Sequence, residues 1–96
     1  MLIARVVGSA VSTVKDPSLS GRKLLLVREA TPADELVGDP IVAVDTVGAG
    51  EGELVLVATG SAARQTASTE GSPTDAAIVG VLDSIEMDHA QVFQKS

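Results

Sequence analysis

The chain has 96 residues, no cysteine, one histidine and a formal net charge of −6. That length bounds it to a single domain, residues 1–96. The missing cysteines exclude disulfides and thiolate metal sites, and no apolar run approaches the roughly 20 residues a membrane helix needs.

Apolar residues make up 45% of the chain and aromatic residues only 1%, Phe93 alone. The core must therefore be built from Val, Leu, Ile and Ala, which suit strands packed in a tight barrel. A domain this short buries a modest core, so oligomerisation is the expected extra source of stability. Residues 1–28 carry five basic side chains and one acidic one, and residues 29–96 carry two basic and twelve acidic ones. Such asymmetry fits head-to-tail contact between copies, although charge runs more often simply solvate the outside of a sheet. The segment Met1-Leu2-Ile3-Ala4-Arg5 lacks the basic start and long apolar stretch of a signal peptide, which makes a cytoplasmic location the expectation.

In chain order, Leu2 to Val14 is rich in β-branched residues and reads as a long strand, with Gly8 marking a bend or bulge. Residues 15–21 are a turn by composition. Leu24-Leu25-Leu26-Val27, within Lys23 to Arg28, is a short buried strand, and residues 29–40, with Pro32, Gly38, Pro40 and four acids, form an exposed loop. Ile41 to Asp45 is the third strand, Gly48 to Glu53 a tight glycine hairpin turn, and Leu54 to Val57 the fourth strand. Gly60 to Gln65 reads as one helical turn with Ser61 at its N-cap. Residues 66–74 are a polar loop. Ala76 to Ile85 is a fifth strand interrupted by Gly80, since branching and glycine together disfavour a helix there. The residues beyond are read as a mobile tail. Five short strands and one small helix in so short a chain predict an all-β fold, a small five-stranded OB-like barrel.

The glycine cluster does not match a nucleotide fingerprint. Its spacing is G-x-G-x-G, a strand follows instead of a helix, and Glu51 and Glu53 would repel phosphate. Ser12 and Ser61 have no patterned base to activate them. Asp45, Asp75 and Asp83 lack the dense spacing of a calcium loop, and Asp88-His89 is a solitary dyad. No catalytic residue, metal site or cofactor is expected. An OB-like barrel raises single-stranded nucleic acid as a ligand, but there is no Trp, no Tyr and an acidic balance to meet it.

Four segments in register carry a resemblance. They are Ile3 to Gly8 with Val11-Ser12-Thr13 and Lys15; Gly21 to Val27; Val42 to Val57; and Gly60 to Arg64 with Pro73 to Asp83. Together they resemble the EutN/CcmL family of bacterial microcompartment vertex proteins. That resemblance implies an OB-like barrel assembled as a cyclic homopentamer, a structural and non-enzymatic role, and a cytoplasmic place in the shell of a microcompartment, closing vertices between hexameric shell proteins. No nucleic acid or membrane partner is implied. By the same resemblance Gly48, Ala49, Gly50, Glu51, Gly52 and Glu53 face neighbouring hexamers. The turn holding Ser61 and Arg64 lies near the subunit boundary, with Arg64 pairing Asp45 or Asp75 within or between subunits. Ser12, Thr13 and Lys15 approach the five-fold axis. The alternative is a small OB-like ligand-binding or scaffold module with no shell.

Overall fold

A computed structural model describes residues 1–11, 21–60, 63 and 75–95. Seven strands follow in chain order: β1 (Leu2–Ala10), β2 (Lys23–Glu29), β3 (Ile41–Asp45), β4 (Leu54–Thr59), β5 (Ala76–Val81), β6 (Ser84–Met87) and β7 (Ala90–Gln94). The first five close into a barrel in the order β1-β2-β3-β5-β4, with β4 pairing back on β1. All ladders are antiparallel except the short parallel contact of Val44 and Asp45 on β3 with Ala77 and Ile78 on β5. The predicted OB-like barrel is therefore the fold.

Small side chains make this closure possible. Ala4 and Val6 of β1, Leu25 and Val27 of β2, Ala43 of β3, Val55 and Val57 of β4 and Ile78 of β5 fill the interior. Alternation along each strand sends these residues inward and their neighbours outward, and a narrow barrel has room for nothing larger. A second, smaller cluster of Ala58, Ala63 and Ala77 lies apart from this core, with Val79 packed against it. Gly60 and Ala63 belong to a 3₁₀ turn. The predicted cap Ser61 lies outside the described residues.

Bulges adjust the barrel where glycine was expected to. The β1–β2 register shifts between Val6 and Gly8, leaving Val7 unpaired and facing solvent. A methyl group on Gly8 would sit 3.4 Å from Leu26 Cδ1, so the glycine lets the two strands lie close where the ladder shifts. A second shift on β4–β5 leaves Val79 unpaired beside Gly80.

Four expectations need correcting. β1 stops at Ala10, and Val11 is fully exposed coil. The loop over 29–40 is partly ordered as a continuation of β2. Ala30 and Leu36 form a bridge, and the Val37 N–H donates to the Glu29 carbonyl at 2.8 Å. The strand expected over Ala76 to Ile85 breaks at Leu82-Asp83 and becomes β5 and β6. The tail is a hairpin, β6–β7, with Met87 opposite Ala90. Its two-residue turn is Asp88-His89, both at positive φ, 55° and 63°, the conformation a type I′ hairpin turn requires. The solitary dyad is thus a structural corner.

Candidate functional site

The glycine-rich segment is not a hairpin. β3 and β4, which it joins, are not neighbours, because β5 lies between them. Residues 46–53 instead cross from one strand to another, and Ala49 packs into the barrel core with no exposed surface. A loop that buries its middle must satisfy its backbone polar groups internally.

Asp45, at the end of β3, does much of this. Its Oδ1 accepts hydrogen bonds from the N–H groups of Val47, Gly48 and Ala49 at 3.1, 3.1 and 3.2 Å, and the residue is 7% exposed. Lys23, the cross-strand partner of Asp45, donates from Nζ to the Ala49 carbonyl at 3.1 Å. The buried Ala49 peptide is therefore held by a carboxylate at its N–H and an ammonium at its carbonyl. Both are charge-assisted bonds and align with the peptide dipole. Thr46 ties the start of the loop to β5, its Oγ1 donating to the Ile78 carbonyl at 2.6 Å.

The second half of the loop is a turn. The Glu53 N–H donates to the Gly50 carbonyl at 3.2 Å, and Gly52 has φ +86°, as the third residue of a type II turn must. Glu53 works with both oxygens. Oε1 accepts from the Gly50 N–H at 2.6 Å and Oε2 from Lys95 Nζ at 2.7 Å. The Lys95 hydrogen bond first, and the Gly50 N–H second, hold the Glu53 carboxyl below its ordinary range, while the same contact with Glu53 raises Lys95. The turn is pinned to β1 by the Val6 N–H donating to the Glu53 carbonyl at 2.9 Å and the Gly52 N–H donating to the Val6 carbonyl at 2.8 Å. Arg5 on β1 donates to the Gly52 carbonyl and to Asp34 Oδ1, bridging this loop to the one after β2. Between this loop and the foot of β7 runs a groove of about 460 Å³, bordered by Arg5, Asp34, Leu54, Phe93 and Lys95.

Of the residues singled out from the sequence, Gly48 to Glu53 and Asp45 thus form one locked unit. Asp75 lies elsewhere, at the foot of β5, where its carbonyl accepts from the Gly60 N–H at 2.9 Å. Ser12, Thr13, Lys15, Ser61 and Arg64 lie outside the described residues. Oδ1 of Asp45 is engaged by loop amides. Sequence reasoning missed Arg5, Lys23, Asp34 and Lys95 as partners of the loop. A signal existed for Lys23, a cation placed opposite Asp45 once the register of two adjacent strands is drawn; none marked Lys95.

The side chains that converge here hold backbone in place, which is the chemistry of a scaffold element at the end of a small closed barrel. The family model described as Ethanolamine utilisation protein EutN/carboxysome matches residues 1–83, and the chain belongs to this EutN/CcmL family. It is 49% identical over 86 residues to the bacterial microcompartment shell vertex protein GrpN of Rhodospirillum rubrum, covering 90% of this chain and 97% of that protein. It is 51% identical over 89 residues to the shell vertex protein PduN of Salmonella typhimurium, covering 88% and 98%. The solved structure of CcmL from Nostoc sp. PCC 7120 superposes with a TM-score of 0.91 at 46% identity, covering 99% of this chain and all of that one. The structure of GrpN, described as a pentameric microcompartment shell protein, superposes at 0.81 over 91% and 99% of the two chains.

Proposed function

We propose that this chain is a structural, non-enzymatic shell protein whose cyclic homopentamer closes the vertices of a bacterial microcompartment. The observation that carries the reading is the near-complete coverage of vertex proteins at about half identity, joined to a barrel that superposes on a pentameric shell protein. The geometric reason is simple: a flat hexagonal sheet closes only where pentagons are inserted, and a ring built from one repeated heterologous contact supplies a pentagon. The locked loop Gly48 to Glu53 is the surface offered to hexameric neighbours, and its glycines allow close approach of backbone.

Two measurements test this. Native mass spectrometry should show a species at five times the 9.7 kDa subunit mass. Co-expression with hexameric shell proteins should give closed shells that contain it. Gly50 has an ordinary negative-side backbone, and a methyl group there meets only Glu53 Oε1 at 3.4 Å, so Gly50→Val should leave the ring intact and leave shells open at their corners. Closed shells with the variant at every vertex would overturn the loop assignment; shells that never take up the unaltered protein would overturn the vertex role.

A further inference from the structure

Two clamps from different parts of the chain hold the loop over residues 46–53. The first, Asp45 with Lys23, comes from β3 and β2 and grips the Ala49 peptide. The second, Glu53 with Lys95, joins the residue before β4 to the residue after β7 and grips Gly50. The Gly50 N–H donates to Glu53 Oε1 at 2.6 Å, and Lys95 Nζ donates to Oε2 of the same carboxylate at 2.7 Å. The Glu53 and Lys95 side chains are 26% and 42% exposed. A glutamate exposed to that extent has several rotamers open to it. The ammonium on one oxygen selects the rotamer that turns the other oxygen to Gly50. Lys23, the other cation near Glu53, donates instead to the Ala49 carbonyl.

The hairpin puts Lys95 in that position. Ser84 pairs with Gln94, and one step closer to the barrel the Lys95 N–H donates to the Asp83 carbonyl at 2.7 Å. The base closed in this way is set on β4 by the Leu82 N–H, which donates to the Leu54 carbonyl at 2.9 Å, and Phe93 shares a groove with Leu54. A continuous path of hydrogen bonds thus runs from the hairpin base through Lys95 and Glu53 to the Gly50 amide. The far side of the turn is held separately, since Gly52 is bonded to Val6 and Arg5 of β1. What hangs on the hairpin is Gly50, where the loop leaves the buried Ala49.

We propose that Lys95 is a positioning residue: closure of the β6–β7 hairpin sets it, and through Glu53 it fixes Gly50 in the conformation the loop offers at its surface. Hairpin and Gly50 then order together, while the Asp45–Lys23 clamp orders Ala49 without them. The consequence for shell docking rests on the vertex reading above: a protomer presents its finished loop only once its C-terminal hairpin has closed.

Amide hydrogen exchange on the full chain, read residue by residue with NMR, tests the coupling, with Ala49 as internal reference. Lys95→Met should speed exchange at Gly50 by roughly two- to tenfold, the loss of one hydrogen bond, and leave Ala49 unchanged. Lys95→Arg keeps a cation on Glu53 and should keep Gly50 protected. His89→Pro should act like Lys95→Met, because proline fixes φ at about −65° and His89 sits at φ 63°, so the hairpin corner cannot form. Gly50 exchange unmoved in Lys95→Met would overturn the coupling, as would Gly50 exchange unmoved in a His89→Pro chain whose hairpin amides have lost protection. Gly50 and Ala49 quickening together in Lys95→Met would overturn it too, since that is the mark of a merely structural contribution to overall stability. Each of these results leaves the vertex role standing. An intact chain that forms no pentamer would instead remove the vertex role without altering the expected exchange pattern.

Discussion

Replacing Asp45 should separate the worth of the loop's internal clamp from that of its charge. In Asp45→Ala three backbone N–H groups lose an acceptor at 3.1–3.2 Å. Val47 and Gly48 are exposed, so water takes over there, and each loss nets about 0.5–1 kcal/mol. Ala49 is fully buried, and its orphaned amide costs about 1–3 kcal/mol. The sum is about 2–5 kcal/mol. Asp45→Asn keeps a neutral acceptor of the same shape and loses only the charge assistance, about 1 kcal/mol. Urea denaturation at one fixed protomer concentration measures both, since the stability of an oligomer depends on concentration. Hydrogen exchange of the Ala49 amide supplies the local readout: strong protection in the wild type, reduced in Asn, lost in Ala. An Ala variant within 0.5 kcal/mol of wild type, or an Asn variant as damaged as Ala, would refute the clamp.

The Glu53–Lys95 bridge sets a pH response. Glu53 lies below its ordinary 4.5, held there first by Lys95, so its contribution is complete above 4.5 and is lost as pH falls through the lower, folded value. Lys95 lies above its ordinary 10.5, so its contribution is complete below 10.5 and is lost as pH rises through the folded value. Lys95→Met should move the Glu53 carboxyl titration, followed by carbon NMR, upward toward 4.5, and an unmoved titration would show the bridge absent in solution. At the hairpin corner, His89 sits at φ 63°, a conformation that strains a side chain. His89→Gly should raise stability by about 0.5–1 kcal/mol after the entropy of the unfolded chain is subtracted, read as a higher melting temperature, and a lower one would contradict the assigned turn.

Strand positions were legible because apolar runs such as Leu24 to Val27 and Ile41 to Val44 are bounded by turn residues on both sides. The barrel followed from their number and from a core without aromatics. The role of the glycine cluster was not legible. Gly48 to Gly52 satisfies a hairpin turn as well as a crossover, and only the insertion of β5 between β3 and β4 decides between them, a tertiary event with no local mark. Successive strands pair more often than not, and here they do not. The C-terminal hairpin was hidden for the opposite reason. Its turn is Asp88-His89 in place of the Asn-Gly that signals such turns, and Val92 is skipped in the ladder, which breaks the alternation that would have revealed an apolar face. Lys95 as a partner of Glu53 was beyond reach, because 42 residues separate them and the hairpin that brings them together was itself unseen.

Apart from the exposed side chains of Val47 and Glu51, the loop over residues 46–53 offers mainly backbone at its surface. Asp45 and Lys23 turn inward to the Ala49 peptide, Glu53 is spent on the Gly50 amide and Lys95, and Arg5 is spent on Gly52 and Asp34. Glu51 is left exposed among glycines that have no side chain to project. Such a surface loses little conformational freedom on docking, because its ordering cost was met when the barrel folded. The same partners explain why the loop depends on distant parts of the chain: β1 and the segment after β2 hold one side through Arg5, and the residue that follows β7 holds the other. The shell contact proposed for this pinned backbone is therefore conditional on the whole barrel and on the foot of the β6–β7 hairpin. For that reason substitutions at Asp45, Arg5 or Lys95, none of which lies within the Gly48–Glu53 stretch itself, are expected to disturb it more than a change to Glu51 at its apex.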